Sequence, residues 1–529
     1  MNSKRARISV LFVLVLTPGC PGSNGSSVDL ALDRAGDVRL HDGTADNASF
    51  DGSHADARPD GPRADARLDG PASPDQMLVL EAGSCPAVVP KSSPDPWTVR
   101  APGIGFGGIV TQKTGKYTDV FLKSPTDYTR VGVRLDWGGT VVFFGLSANP
   151  LSNVIDANDT GRELQLALYD PTRAMQGCAY NASCQSGGTA CPSSITYLGW
   201  NPVQGGDECG HGGKVLSHGQ QGDALRVVVQ PVQWNPDWEQ TTCVKNSCPA
   251  VGLPVAVTYT FELRFLSQHV VEVMSQVSSQ ETFSHPATGQ EFPTLYVSHG
   301  NGGPDLPLLV DASGNTVAIT TPGNDGFYYT NFSSSAPWVT WQDSLKTYGV
   351  GLAMDQGITA FQGWRGDGVT APYFHNVRAQ IAFGLGAGKV VRGLSYLALG
   401  SYATVKSELQ TALGKRPPFG VVDVPPAGSD VSYNAGQPLS LSGWVLDSTS
   451  IKTVTVSIDG TPVASLPVTG SRPDVCAVFP GYAGCATVGY AGSVPTTGLN
   501  ACPHLLRVSA KDADTNTTVL GERRLVQQP

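Results

Sequence analysis

Charged residues are scarce in this chain. They make up 15% of its 529 residues, and 44 acidic against 35 basic side chains give a formal net charge of −9. The sequence has no basic stripe that could follow a phosphate backbone, which argues against nucleic-acid binding. It also lacks a phosphate-binding loop, a nucleophile elbow and the Cys-His pattern of thiol proteases. We therefore expect no nucleic-acid partner and no cofactor.

The apolar run at residues 8–16 is too short to span a bilayer as a helix. Because Lys4, Arg5 and Arg7 precede it, the order is typical of an export signal covering residues 1–20. Residues 16–20 resemble a bacterial lipobox. The resemblance implies that Cys20 is lipidated and anchors the protein to the outer-membrane lipid, with ordinary cleavage and secretion as the alternative.

Residues 23–75 have low complexity. The segment "ADARPDGPR" at 55–63 is followed at once by "ADARLDGPA" at 64–72. Such a composition offers almost no apolar surface to bury, so it cannot offset the entropy lost on ordering. We predict a disordered linker over residues 21–84.

Glycine and proline are abundant, with 62 and 39 residues, and they separate short apolar or alternating runs such as "VVFFGL", "VTYTFELRFL" and "VVEVMSQV". Period-two alternation between turn residues predicts strands. We therefore predict an all-β protein, with a long antiparallel sandwich over residues 85–416. One helix is predicted in "SYATVKSELQTALGK", where Tyr402, Val405, Leu409 and Leu413 share a face.

Residues 415–420, "KRPPFG", read as a linker to a second module over residues 417–529. Val454, Val456 and Ile458 alternate there with polar residues, as in a small β-sandwich. Residues 418–529 resemble the bacterial immunoglobulin-like modules appended to secreted enzymes and surface proteins. The resemblance implies an immunoglobulin-like fold and a role in spacing or binding.

Ten cysteines remain when Cys20 is set aside, and in an exported protein disulfides are the default interpretation. No Cys-x-x-Cys or paired-His spacing favours zinc, so no metal site is predicted. Cys85 and Cys502 are left over, and they are either free or part of a bridge between the modules. The proposed close pairs are Cys178–Cys184, Cys191–Cys209, Cys243–Cys248 and Cys476–Cys485.

Three stretches carry candidate site residues. The first is "LGWNPVQGGDECGHGG" at 198–213, where a glycine-rich loop could hold a few polar groups open to a ligand. Asp207 and His211 are its candidate catalytic residues, and Trp200, Asn201 and Gln204 are its candidate substrate-binding residues. A core tryptophan with a capped turn is the alternative.

The second stretch is residues 156–170, where Leu164, Leu166 and Leu168 fill the core if the segment is a strand. Glu163 and Gln165 then lie on the opposite face, with Arg162 nearby as a bidentate donor. A solvated turn entering a strand is the alternative.

The third stretch is residues 284–300, where Glu291 and His299 are predicted to project from the same side of an extended strand. Burial beside apolar neighbours would suit Glu291 to general acid catalysis. Further on, Trp364 in "FQGWRGDG" is a candidate platform for a sugar ring, as are Trp338 and Trp341.

The large domain resembles the β-supersandwich of the galactose-mutarotase type, found in aldose epimerases and in domains of glycoside hydrolases and polysaccharide lyases. The resemblance rests on "VGVRLDWGGTVVFFGL", "NDTGRELQLALYD" and "GWNPVQGGD". It implies a carbohydrate-active protein, but not epimerisation, because the catalytic His and Glu of the epimerases have no matching motif here.

We predict a surface-exposed enzyme that acts on an extracellular polysaccharide or oligosaccharide. A glycoside hydrolase would need two carboxylates across one cleft, and Asp207 and Glu291 are preferred to Glu163. A polysaccharide lyase would instead use Arg162 to neutralise a uronate, with His211 or a Tyr as base. The alternative is a non-catalytic glycan-binding lipoprotein that uses the same face.

Overall fold

The computed structural model describes residues 85–92, 95–157, 163–170, 198–201, 212–234, 254–300, 302–323, 326–369 and 373–529. For Gln165, residues 198–201 and residues 233–234 it describes the backbone alone.

Strands dominate the described chain. The first half contains β1 (Gly108–Thr114), β2 (Tyr117–Lys123), β3 (Thr129–Arg134), β4 (Thr140–Leu146), β5 (Leu164–Asp170), β6 (Leu198–Asn201), β7 (Lys214–Gln221), β8 (Ala224–Gln230), β9 (Val232–Trp234), β10 (Val257–Phe265), β11 (Val270–Ser279) and β12 (His285–Val297). Next come β13 (Leu308–Asp311), β14 (Thr321–Pro322), β15 (Phe327–Ser333), β16 (Trp338–Gln342), β17 (Gly349–Met354), β18 (Ala360–Gly366), β19 (His375–Ala379), β20 (Ile381–Leu385) and β21 (Val390–Leu399).

The remaining elements follow β21. They are α1 (Tyr402–Leu413), β22 (Phe419–Val424), β23 (Val431–Tyr433), β24 (Leu439–Leu446), β25 (Ile451–Ile458), β26 (Thr461–Leu466), β27 (Val468–Gly470), α2 (Pro473–Val478), β28 (Gly489–Val494), β29 (His504–Asp512) and β30 (Thr517–Gln527).

Strands β1 to β21 build a large sandwich of two sheets. Within the described residues one sheet has thirteen strands, ordered β1-β2-β3-β4-β5-β12-β19-β18-β15-β14 with β6, β9 and β20 attached beside this path. The other has eight, ordered β13-β16-β17-β21-β11-β10-β8-β7. Apolar side chains from both sheets, among them Leu122, Leu295, Phe261 and Leu397, form one buried core. The predicted all-β supersandwich is confirmed.

Strands β22 to β30 build a small sandwich. A four-stranded sheet, β22-β24-β28-β27, lies against a five-stranded one, β23-β30-β29-β25-β26, as far as the described residues show. Val454, Val456 and Ile458 alternate into its core as predicted, because period-two spacing puts them on one face of β25.

Helix α1 confirms the predicted helix. Ser401 caps its N-terminus by accepting a hydrogen bond from the backbone N–H of Thr404, which replaces a bond the first turn cannot make. Val405 and Leu409 are buried against the outer side of the eight-stranded sheet. No helix in the described part of the chain has the length and apolarity needed to cross a membrane.

The segment at 415–420 connects the two sandwiches, and four of its six residues, Arg416 and residues 418–420, are buried. Arg416 is 2% exposed, and its Nη1 contacts the Asp355 carboxylate and lies 2.5 Å from the Tyr482 hydroxyl. Tyr396 donates a hydrogen bond of 2.8 Å to the other Asp355 oxygen. The guanidinium also lies 4.1 Å from the Phe419 ring centroid. The cluster joins a turn of the large sandwich to the small one.

Both sandwiches also contribute apolar side chains around this ion pair. Trp97 and Tyr396 from the large sandwich lie in one buried cluster with Phe419, Trp444 and Phe479 of the small sandwich. Removing these rings from water stabilises the junction, and it lowers the local dielectric around Arg416 and Asp355.

Cysteine pairing is confirmed at one predicted position. Cys476 and Cys485 form a disulfide that joins α2 to the following turn. Cys85 and Cys502 each belong to a disulfide as well, so neither is a free thiol. The other three predicted pairs lie outside the described residues.

Arg416→Ala should destabilise the protein by about 3 to 5 kcal/mol, because the change leaves the Asp355 carboxylate buried without its cation. Chemical denaturation followed by tryptophan fluorescence would measure the loss. Arg524→Ala is the matched control, since Arg524 and Asp430 form an exposed ion pair whose removal should cost at most about 1 kcal/mol. Equal losses for the two variants would contradict the assigned role of Arg416.

Candidate functional site

The candidate site lies on the outer face of the thirteen-stranded sheet, which is the face turned away from the shared core. Leu295, Val377 and Phe361 point into the core from β12, β19 and β18. The residues alternating with them therefore point outward. The polar and aromatic side chains of these three strands thus share one face, on which Thr294, Gln362 and Asn376 are buried and Trp364 and Arg378 are half-buried.

A polar row crosses this face. Thr294 pairs with Arg378, Arg378 with Gln362, and Gln362 with Asn331, so the row runs from β12 through β19 and β18 to β15. By register Gln165 takes the next position on β5. Directly opposed residues on neighbouring strands lie within contact distance, which is why such a row can form hydrogen bonds along its length.

Gln362 is the centre of the hydrogen-bond network in the polar row. Its Oε1 accepts bonds of 2.9 and 2.7 Å from Nε and Nη2 of Arg378, and one of 2.7 Å from the indole N–H of Trp364. Its Nε2 donates a bond of 2.7 Å to Asn331, which also accepts one from Gln380. These bonds fix the orientation of the guanidinium and of the indole together.

An aromatic platform lies one position along the same strands. Trp364 pairs with Tyr329, and the two rings stack with centroids 5.0 Å apart and planes inclined by 28°. Both side chains are half-buried, so part of each ring faces solvent. Asn376 lies across from Trp364 on one side and from Tyr296 on the other. Its Oδ1 is buried and accepts no hydrogen bond.

Glu291 adds a carboxylate at the β12 side of the polar row. Its Oε1 lies 2.8 Å from Arg378 Nη1 and accepts a hydrogen bond of 3.0 Å from the Tyr169 hydroxyl. Burial raises the pKa of the Tyr169 phenol well above its usual value, and the Glu291 charge raises it further. Tyr169 therefore stays protonated and donates a hydrogen bond to Glu291.

The strand geometry contradicts one sequence prediction. Glu291 pairs with Ala167 and Thr294 with Gln165, so β12 carries one residue more than β5 between these pairs. This bulge reverses the side on which the following residues project. Glu291 consequently faces outward, whereas Leu295 and Val297 face the core. The prediction that Glu291 and His299 share a side was wrong because it assumed an unbroken alternation.

His299 belongs to a different cluster, beyond the end of β12. Its Nε2 lies 3.5 Å from Asp156, and its ring meets the Tyr373 ring edge to face at 5.0 Å. The Asp156 carboxylate raises the pKa of His299, against the opposite effect of burial. Tyr373 also meets His375 at 5.0 Å, and His375 stacks on Trp341 at 4.9 Å.

The pKa values of the two histidines in this cluster shift in opposite directions. Burial is the main cause that lowers the pKa of His375 to about 4, and the neighbouring His299 lowers it further. Its Nδ1 is buried without a hydrogen-bond partner. At neutral pH His375 is therefore uncharged, while Asp156 favours the charged form of His299.

A cluster of arginines and aromatic rings lies on the outer face at strands β2 to β4. Arg130 lies 4.4 and 4.8 Å from the ring centroids of Phe121 and Phe143. Arg134 forms a two-pronged ion pair with Asp119, with bonds of 2.8 and 3.0 Å. The rings are buried in a small cluster of their own, so they serve packing rather than an open surface.

The other predicted site residues fall into four groups. Glu163 is fully buried, so its carboxylate does not reach the surface. Trp364 lies in the platform, whereas Trp338 and Trp341 are core residues at 0% and 1% exposure. Gln165, Trp200 and Asn201 are described by their backbone alone. Outside the described residues lie Cys20, Arg162, Gln204, Asp207 and His211.

Sequence reasoning missed most of the polar row. Arg378, Gln362, Asn331, Asn376 and Tyr329 come from three strands that meet only through long-range pairing. Alternation in "FQGWRG" and "HNVRA" places Gln362 with Trp364 and Asn376 with Arg378 on one face of each strand. That signal was available, but the register joining the two strands was not.

The stability of the protein should fall as the pH decreases from about 6.5 to about 4. In this window the unfolded chain binds a proton at His375 and the folded chain does not, so protonation favours unfolding by about 1 to 3 kcal/mol. Urea unfolding across this pH range would measure the effect.

His375→Phe keeps a ring against Trp341 and removes the titration, so its stability should depend less steeply on pH than that of the wild type. His218→Phe is the control, because His218 is exposed on β7 and its replacement should leave the slope unchanged. The same slope in all three proteins would exclude His375 as the source.

No family model matches the sequence, and no curated protein matches it. Among solved structures, a polysaccharide lyase matches at 8% identity and a TM-score of 0.29, covering 79% of this chain and 47% of the lyase, so the chain spans about half the length of that protein. A galactose 1-epimerase from Lactobacillus acidophilus matches at 9% identity and a TM-score of 0.31, covering 56% of this chain and 98% of the epimerase. Fibronectin type III-like modules from Clostridium thermocellum match at 14% identity and a TM-score of 0.14, covering 39% of this chain and 86% of theirs. Likenesses this low carry no functional conclusion, which has to come from the outer face itself.

Proposed function

We propose that the protein is a carbohydrate-active enzyme that binds a polysaccharide along the outer face of its large sheet. The observation that carries the proposal is the stacked pair of Trp364 and Tyr329, held by the indole bond to Gln362 beside the polar row. Sugar rings present apolar C–H faces and hydroxyl edges. A half-buried aromatic surface next to fixed amide and guanidinium groups is complementary to both.

The dimensions suit a chain of sugars. Four strands, β12, β19, β18 and β15, contribute described side chains to the row, and strands lie about 4.8 Å apart, so the row extends over about 14 Å. Because Arg378, Gln362 and Asn331 are bonded to one another, their orientation is set before a ligand arrives. Preorganisation of this kind reduces the ordering cost of binding.

Glu291 is the candidate catalytic residue, and Tyr169 is bonded to it. In a glycoside hydrolase, Glu291 would act as base or nucleophile, and Asp207 would be the second carboxylate that the reaction needs. A polysaccharide lyase would need Arg378 for the neutralising role that the sequence suggested for Arg162, although Arg378 is already paired with Glu291. Tyr169 keeps its proton at neutral pH and donates a hydrogen bond to Glu291, so in either case its role would be to orient that carboxylate.

A non-catalytic glycan-binding protein is the second candidate. It is favoured by the number of internal bonds, since one oxygen of Gln362 accepts three of them and one oxygen of Glu291 accepts two. A binding surface gains from groups locked in this way, whereas a catalytic carboxylate has to be reached by the substrate.

Trp364→Ala should lower the affinity for the bound polysaccharide at least about tenfold, because it removes the larger ring of the platform. Affinity electrophoresis of the full chain in gels containing single polysaccharides would measure the change. Trp364→Phe should retain part of the binding. Tyr128→Ala, which removes an exposed ring at the β2–β3 turn, should have no effect.

Product release separates the two candidates. Reducing ends and the absorbance of unsaturated uronates would be measured together for the wild type and for Glu291→Gln. An enzyme should release product and lose at least about a hundredfold in rate in the variant while still binding. Retention without release in the wild type would establish the glycan-binding alternative. Loss of neither binding nor release in Trp364→Ala would remove the outer face from the proposal.

The proposal includes export and lipid anchoring through Cys20. It is supported by the basic and apolar order of residues 1–20 and by the Cys476–Cys485 disulfide, a bond typical of oxidising compartments. A surface location would bring the outer face into contact with extracellular polysaccharide.

Cys20→Ser should abolish incorporation of radiolabelled palmitate and move the protein from the membrane fraction to the soluble fraction of the cell envelope. Cys476→Ser, which changes a disulfide cysteine far along the chain, is the control and should keep the label. Unchanged labelling of Cys20→Ser would argue for ordinary secretion.

A further inference from the structure

We infer that the outer face takes an uncharged polysaccharide rather than a polyuronate. This inference rests on the proposed function, since it names the class of glycan that would bind at the polar row. It follows from two features, the pairing of the described cation at the row and the acidic balance of the whole chain, while two buried oxygens without donors indicate a ligand with hydroxyl groups.

The cation at the row is already neutralised. Among the described outward-facing side chains from β5 to β15 around the polar row, Arg378 carries the only positive charge. Its Nη1 lies 2.8 Å from Glu291, and Nε and Nη2 both bond Gln362. A uronate carboxylate could pair with Arg378 only by displacing Glu291 or by lying beside a like charge. Either arrangement is unfavourable, because like charges at this separation repel.

Two oxygens of the same surface need donors. Asn376 Oδ1 and Thr294 Oγ1 are buried and have no hydrogen-bond partner, and the two residues are 5% and 1% exposed. A ring hydroxyl of a sugar can donate to the amide oxygen of Asn376, and it can both donate to and accept from the threonine hydroxyl. Neutral sugars and uronates both carry such hydroxyls, so these oxygens indicate a hydroxyl-bearing ligand of either kind. The half-buried side chains of Tyr296, Trp364 and Arg378 lie next to Asn376 and Thr294 in the strand register.

The net charge of the whole chain also argues against a polyuronate. A formal net charge of −9 sets an electrostatic background that disfavours the approach of a polyanion. A site for a polyuronate would be expected to counter this background with several unpaired cations. Around the polar row, the one described arginine, Arg378, is instead paired with Glu291.

The test compares neutral and anionic polysaccharides. The full chain would be run by affinity electrophoresis in gels containing barley β-glucan, starch, galactan, polygalacturonate or alginate, at 50 and 500 mM salt. We expect retention by at least one neutral polysaccharide, with less than a twofold change between the two salt concentrations, and no retention by the polyuronates.

Glu291→Gln tests the cause. The amide keeps the shape of the side chain and removes the charge that neutralises Arg378, so the variant should gain retention on polygalacturonate or alginate at low salt. Asp430→Asn is the matched control, because it frees an exposed arginine, Arg524, on the small sandwich with the same change in net charge. Asn376→Ala should weaken binding of the neutral polysaccharide about tenfold, while Gln112→Ala, an exposed amide on β1, should not.

The outcomes are distinguishable. Retention of the wild type by a polyuronate with strong salt dependence would overturn this inference and leave the proposed function standing. No retention on any polysaccharide would overturn both. A Glu291→Gln variant that stays folded, as judged by its thermal unfolding, and gains no affinity for a polyuronate would show that Glu291 is not what excludes the anion. Should that variant unfold, the wild-type comparison decides the inference by itself.

Discussion

A single extra residue in β12 determines which side chains reach the outer face. The bulge between Glu291 and Thr294 lets Phe292 and Leu295 both enter the core, although regular alternation would send them to opposite sides. Without this shift, either Glu291 would be lost from the surface or the second half of the strand would turn its apolar residues outward. The polar row depends on it, since Thr294 meets Arg378 only in the shifted register.

The network around Gln362 shows how a β-sheet surface can hold polar groups still without a rigid loop. Three donors converge on one amide oxygen, and the donors belong to two different strands. The position of the indole ring is thereby tied to that of the guanidinium. If either strand moved, both the Trp364 indole and the Arg378 guanidinium would shift. The aromatic platform and Arg378 are therefore coupled through Gln362.

Local signals in the sequence were sufficient for the secondary structure and for part of the site. Period-two alternation identified the strands, the spacing of Val405 and Leu409 identified α1, and the short separation of Cys476 and Cys485 identified their pairing. Glu291 was found because it is an acidic residue in an apolar strand. The outward direction of Glu291 relative to His299 was not found, because a bulge leaves no clear mark in the sequence.

Long-range pairing explains most of what was missed. Arg378 meets Gln362 and Glu291 across separations of 16 and 87 residues, and no local pattern encodes such a register. The contacts of Arg416 were not predicted, for a related reason. Prolines and charges around it are typical of an exposed connection, but its partner Asp355 lies 61 residues earlier, in a turn that the sequence could not bring near.

The buried Arg416 cluster has a consequence for how this protein could have arisen. Modules that are merely tethered can be exchanged between chains by recombination, because each carries its own complete surface. Here the small sandwich supplies Tyr482 and Phe419 to a pocket whose carboxylate, Asp355, belongs to the large one. A transplanted module without these two rings would leave the Arg416–Asp355 ion pair without part of its buried surroundings. Exchange of the small sandwich alone would therefore destabilise the junction, because a new module would have to supply equivalents of Tyr482 and Phe419.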